Sequence, residues 1–243
     1  MGKNIIICFE GTGNRFNGHA TNVVHTVARV VKEGQAVCYD PGVGTFSLFN
    51  KARLSKKNSI SAWLGRIFGY GLEHNIFEAY KFLMRKYSPE DKLFIMGFSR
   101  GAYTARALAG VLHKCGLLED LCYNLIPTIA DVYFQPNNDD LAQRFKQTFS
   151  KPCKAHFIGV WDTVKSLGYF FGRHFPNTRL NVDTSYGYHA ISIDENREKF
   201  QACLWDEVNK ASHQVIEQIW FPDVHANIGG GYADHGLSDI ALQ

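Results

Sequence analysis

Residues 91–116 set an apolar run, DKLFIMGF, directly against an alanine-rich helical pattern, RGAYTARALAGVLHKCG, with only Ser99 at the junction. A strand that feeds straight into a helix is the opening of a crossover that returns to a parallel strand, so this junction predicts an α/β fold. The same alternation recurs upstream. NIIICF (4–9) is a β-branched apolar run suited to a strand buried on both faces. TNVVHTVARVVKEG follows, with Thr21 or Asn22 as the cap, apolar residues three and four apart, and a stop at Gly34. QAVCYD (35–40) repeats the strand signal and GLEHNIFEAYKFLMRKY (71–87) the helical one. Together these predict a mainly parallel sheet with right-handed crossovers and helices on both faces.

Downstream, residues 117–150 carry helical patterns interrupted at QPNNDD and read as a helical insertion. KAHFIGVWDTV (154–164) restores a strand that ends in an acid, and EQIWFPDVHANIGGGY (217–232) gives another that leads into a histidine and three glycines. With 243 residues and 45% hydrophobic content the chain can bury a sizeable core, and residues 1–243 are expected to form one domain. The net charge of +3 is spread over interleaved acids and bases, apart from KARLSKK (51–57), which argues against a nucleic-acid partner. The six cysteines form no C-x-x-C pair and read as reduced, buried thiols. The first apolar run stops at Glu10, too short for a signal peptide, and no stretch approaches the about 20 apolar residues of a membrane span. The expected place of synthesis is the cytoplasm, with signal-independent export left open.

Gly97-Phe98-Ser99-Arg100-Gly101 matches G-x-S-x-G, in which flanking glycines let strand and helix approach closely while a strained turn lifts the serine outward. The plain alternative is Ser99 as a helix cap. A serine hydroxyl attacks only when an imidazole takes its proton, and that imidazole needs a carboxylate to fix its tautomer. Chain order then tests the reading, because the serine, the acid and the histidine follow one another on successive strand ends. Asp162 ends FIGVWD and His225 follows IWF by a short loop. Rivals are His235, beside Asp234, for the base, and Asp183, Asp194, Asp223 and Asp239 for the acid; His189 lacks a strand-end setting. Gly11, Thr12 and Gly13 lie at the end of the first strand, so the amides of Gly11 and Thr12, with that of Arg100, are the expected oxyanion donors. The Arg100 guanidinium would bind an anion or pair with Glu10. A dinucleotide fingerprint in GTGNRFNG has the wrong glycine spacing, and Asp223, His225, Asp234, His235 and Asp239 match no metal-ligand spacing, so no metal or cofactor is expected.

The ordered segments FEGTGN, TNV, YDPGVGT, GFSRGAYTARALAGVL, FIGVWDTVKSLG, ISIDENREKFQACLW and WFPDVHANIGGGYADHGLSDIAL span nearly the whole chain. They resemble an uncharacterised bacterial α/β-hydrolase domain family that includes phospholipase effectors of type VI secretion. The resemblance implies an α/β-hydrolase-like fold with Ser99 as nucleophile, Asp162 as acid and His225 as base. It further implies an ester or phospholipid substrate and peripheral membrane contact. The family usually carries aspartate where this chain has Glu10, and the sequence stops soon after LSDIAL, without the long carboxyl-terminal region of the secreted effectors. The segment 44–72, which interleaves apolar residues with Lys51, Arg53, Lys56, Lys57 and Arg66, reads as a lid or as a loop followed by an ordinary helix. LGYFFGRHFP (167–176) reads as the wall of an acyl pocket or as core. The functional reading is a serine hydrolase of lipase or phospholipase type; the alternative is a catalytically silent scaffold that keeps the fold.

Overall fold

The structure is a computed structural model that describes residues 2–11, 19–42, 60–135, 137–164, 179–197, 200 and 202–243, with the backbone alone over 60–70. In chain order the elements are β1 (Asn4–Phe9), α1 (Asn22–Arg29), β2 (Gln35–Asp40), α2 (Ile60–Lys86), β3 (Lys92–Phe98) and α3 (Arg100–Cys115). There follow β4 (Leu117–Leu118), α4 (Ile126–Phe134), α5 (Asp139–Phe149), β5 (Ser150–Lys151), β6 (Ala155–Trp161), β7 (Tyr186–Ser192), β8 (Val215–Phe221), α6 (His225–Gly229) and α7 (Gly236–Leu242).

Six strands make one sheet in the order β2-β1-β3-β6-β7-β8, and every neighbouring pair is parallel. Parallel strands must be covered on both faces, and β1 carries the sequence for it. Ile5, Ile7 and Phe9 join a large buried cluster with Tyr80 and Leu83 of α2, Leu108 of α3 and Ile129 of α4, while Ile6 and Cys8 join Val23 of α1 and Ile228 of α6. Each fully buried side chain of that size contributes about 1.5–3 kcal/mol. The fold is therefore α/β-hydrolase-like, as expected. The 117–150 insertion is helical and is closed at its base by the antiparallel pair β4 and β5. Strand order reverses between β1 and β3, so the helices that follow them lie on opposite faces, and the carboxyl end of this pair is the place where open α/β sheets take ligands.

One expectation needs correction. The helix expected over 71–87 begins at Ile60, so residues 60–72 of the segment read as a lid are the first turns of α2; residues 44–59, like 167–176, fall outside the described residues. β7 carries no legible strand signal, because Gly187 and the buried His189 break its apolar pattern, yet it sits inside the sheet between β6 and β8. A groove of about 730 Å³ crosses the sheet over β3, β6, β7 and β8, lined by Phe94, Met96, Phe157, Tyr188 and Phe221 among others; none of Ser99, Asp162 and His225 lines it. No helix among the described residues is long and apolar enough to cross a membrane.

Candidate active site

Between the last residue of β3 and the first of α3 there is only Ser99, and the chain turns there by holding it at φ 58°. A non-glycine residue in such a region costs about 1–3 kcal/mol, so the surroundings must impose it. They do so through the two glycines. A Cβ on Gly97 would stand 2.4 Å from the carbonyl oxygen of Gly101, and one on Gly101 would stand 2.2 Å from that of Phe9. Helix, strand and the end of β1 therefore meet backbone to backbone. The Ser99 N–H donates to the Trp161 carbonyl at 3.0 Å, which ties the turn to β6. Its hydroxyl makes no capping bond to α3, so Ser99 does not serve as an ordinary cap.

That hydroxyl lies 2.8 Å from Nε2 of His225, and Nδ1 of the same ring lies 2.6 Å from Oδ2 of Asp162. A carboxylate only accepts, so Nδ1 carries the proton; Nε2 then presents its lone pair and the serine hydroxyl donates to it. Asp162 is the residue after β6, held at φ 40° by its own N–H donating to Ala190 at 2.7 Å. Its carboxylate also accepts from the Ser192 hydroxyl at 2.8 Å and the Ser192 N–H at 3.1 Å. His225 opens α6 four residues after β8. Its ring is packed between Phe98, at 4.6 Å and 31°, and the edge of Phe200, at 5.0 Å and 78°. Ser99, Asp162 and His225 are 7%, 1% and 7% exposed, so the chain of hydrogen bonds sits in a low-dielectric setting with its serine end just open.

A second layer fixes the acid's turn. The Thr163 N–H donates to Nε2 of His189 at 3.1 Å, and the Thr163 carbonyl accepts from the Cys203 N–H at 3.1 Å. His189 stacks edgewise on Trp205, over whose other contacts lies the buried Arg106 guanidinium, 4.8 Å from the ring centre. Burial, helped by Arg106, pushes the His189 imidazole down to about 3, so it is neutral and accepts from Thr163.

At the end of β1, the Glu10 carboxylate is 1% exposed and accepts from the Thr21 hydroxyl at 2.6 Å and from the Gly11 N–H at 2.9 Å. Thr21 in turn caps α1 by accepting from the Val24 N–H at 3.3 Å. The Gly11 amide, expected to face an oxyanion, is therefore committed to Glu10: the long side chain curls back onto its own successor. Thr12 falls outside the described residues. Arg100 opens α3 directly beside Ser99, and burial lowers its guanidinium to about 10.

The rival residues lie elsewhere. His235 pairs with Asp239 at 2.7 Å on the surface, Asp194 accepts from the Asp223 N–H at 2.7 Å, and Asp183 stands 3.0 Å from His113. Among the described residues no three metal-ligating side chains gather around one point. None of the six cysteines forms a disulfide, and burial pushes Cys8, Cys115 and Cys153 up to about 12, which keeps them as inert thiols. Sequence reasoning missed Ser192, His189 and Phe200. The quoted segments ISIDENREKFQACLW and FIGVWDTV contained Ser192, Phe200 and Thr163, but nothing local in them signals contacts made across β7.

Residues 3–243 match the family described as "T6SS, Phospholipase effector Tle1-like, catalytic domain". The chain is 34% identical over 223 residues to the uncharacterized protein YEL023C of Saccharomyces cerevisiae, covering 84% of this chain and 33% of that protein. Among solved structures, an uncharacterized protein from Pseudomonas aeruginosa shares the fold at a TM-score of 0.57 and 18% identity, over 99% of this chain and 44% of that one. The apo form of esterase 2 from Thermogutta terrifontis is a looser likeness, at a TM-score of 0.48 and 12% identity over 99% of this chain and 80% of that one. The chain thus spans about a third of the yeast relative and under half of the Pseudomonas protein. With the whole ordered set of segments inside the matched range, the chain belongs to the T6SS Tle1-like phospholipase effector catalytic-domain family.

Proposed function

We propose that the chain is a serine hydrolase that cleaves carboxylic esters of lipid or phospholipid type, as one domain, with Ser99 as nucleophile, His225 as base and Asp162 as acid. The observation that carries this reading is the unbroken run of hydrogen bonds from the Ser99 hydroxyl through His225 to Asp162, at 2.8 and 2.6 Å. Ser99 Oγ attacks the ester carbonyl while Nε2 takes its proton, and the imidazolium so formed is stabilised by Asp162, which keeps its own charge. The carbonyl oxygen becomes an oxyanion, met by the amides of Arg100 and Thr12 in this reading. Collapse expels the alcohol, which leaves with the proton from His225, and water then attacks the acyl-enzyme by the same route in reverse. The family description, which names a phospholipase effector, supports lipid as the acyl source, with peripheral membrane contact as its consequence. The chemistry uses side chains and amides alone.

The test is hydrolysis of a short-chain and a long-chain p-nitrophenyl ester by wild type, Ser99→Ala and His225→Ala, with fluorophosphonate labelling alongside. Activity and labelling lost in Ser99→Ala, and activity lost in His225→Ala, without unfolding, are the expected results. A folded wild type that neither turns over nor labels would refute the reading and leave a non-catalytic scaffold.

A further inference from the structure

Just past β7, the segment Glu195–Phe200 carries a guanidinium that the proposed hydrolysis does not use. Arg197 is gripped by Glu195 in a fork, with Nε to Oε1 at 2.8 Å and Nη2 to Oε2 at 2.6 Å, while its own N–H donates to Oε1 at 2.9 Å. Its plane lies on the Phe200 ring, with the guanidinium carbon 3.6 Å from the ring centre. Phe200 is the ring whose edge meets His225 at 5.0 Å. Guanidinium and imidazole thus share one ring, the first on the face of Phe200 and the second, the candidate base, meeting it edgewise. The Glu195 side chain is 5% exposed and the Arg197 side chain 59% exposed. The carboxylate is hidden under the pair and the cation faces outward. The fork holds Glu195 at about 2, so it stays ionised and the grip persists at any ordinary pH.

A guanidinium has five N–H donors, and the fork uses two. The remaining three, on the outer edge, have no protein partner among the described residues. An arginine clamped on one edge and stacked on one face has lost its freedom before any ligand arrives, so a planar two-oxygen acceptor meets a preset pair of donors. A stabilising role for the Phe200 ring alone would not need the outer edge open to solvent.

We propose that Arg197, held by Glu195 and Phe200, binds the phosphodiester anion of the substrate and so selects phospholipids over uncharged esters at the Ser99 site. The proposal rests on the serine hydrolase reading and deepens it. In a glycerophospholipid the phosphate is joined to the ester carbonyls by a three-carbon unit. That short link lets one substrate present its carbonyl at Ser99 and its anion to a guanidinium that shares the Phe200 ring with the base.

The test compares two substrates with the same acyl chains, dihexanoylphosphatidylglycerol and dihexanoylglycerol, both below their aggregation limits, with wild type, Arg197→Gln and Arg197→Lys. The quantity read is the ratio of kcat/KM for the phospholipid to that for the diacylglycerol. Loss of a bidentate charge-assisted pair is expected to lower this ratio about thirtyfold in Arg197→Gln, with Arg197→Lys recovering only part because an ammonium lacks the fork. An unchanged ratio, even with both rates reduced, overturns the proposal and leaves Arg197 as a brace for Phe200. A second arm needs no turnover. Binding of dihexanoylphosphatidylglycerol to Ser99→Ala should weaken by a similar factor when Arg197→Gln is added, while inorganic phosphate at the same concentration should compete poorly. Equal affinities in the two proteins, absence of saturable binding, or equally strong competition by inorganic phosphate overturns the proposed selection of the lipid phosphodiester. Failure of wild type to hydrolyse either ester while this binding difference persists would instead refute the hydrolase reading alone.

Discussion

Replacing His189 by glutamine should flatten the acid side of the chain's stability profile. His189 is 2% exposed, and burial together with the Arg106 charge pushes its imidazole from an ordinary 6.5 down to about 3. In the unfolded chain the imidazole regains its ordinary value. Above that value neither state holds the proton and the full stability is present. As pH falls below 6.5 the unfolded chain binds a proton that the native state refuses, so stability drops by about 1.36 kcal/mol per pH unit until the folded value is reached. At pH 5 the loss is about 2 kcal/mol relative to pH 7.5, and it depends only on the folded value lying well below 5. The lowered carboxylates, Glu78, Asp91, Asp183, Glu195 and Asp206, contribute their losses below their ordinary range, outside this window. Urea unfolding of wild type and His189→Gln at pH 7.5 and pH 5 should therefore show wild type losing about 2 kcal/mol more than the variant. The variant itself starts lower at pH 7.5, because it loses the stack on Trp205. Parallel losses in the two proteins would refute a buried neutral imidazole at this position.

Gly101→Ala places a methyl 2.2 Å from the Phe9 carbonyl, a backbone atom that cannot step aside, so a loss of about 3 kcal/mol or more is expected. Scanning calorimetry should show it as a fall of several degrees in Tm, with ester hydrolysis reduced because Ser99 moves; an unchanged Tm would contradict the packing described. Ser192→Ala removes one of the donors to the Asp162 carboxylate but leaves the His225 pair, so kcat on a p-nitrophenyl ester should fall about tenfold with KM little changed. Glu10→Asp shortens the carboxylate that reaches both the Gly11 amide and the Thr21 hydroxyl, and should destabilise the chain by about 1–3 kcal/mol in urea. A neutral or stabilising result would mean that the loop at the end of β1 closes around the shorter side chain.

Local pattern was enough for much of this protein. Continuous β-branched runs, helical spacing and the strand-to-helix junction at Ser99 are consequences of neighbours in sequence, and they determined a parallel α/β sheet with an outward serine between two glycines. Chain order also favoured Asp162 and His225 over their rivals without excluding them. The tertiary structure decided what depends on contacts between distant residues. It chose His225 over His235 across 126 residues of separation from Ser99, and it placed Ser192 and His189 behind the acid by inserting β7 into the sheet. It also turned the Gly11 amide onto the Glu10 carboxylate. The physical reason is range. Backbone propensity and amphipathic period act within a few residues, whereas the partner of a buried donor or charge is set by which strand ends the sheet brings together, and one sequence read along its length carries no signal of that adjacency.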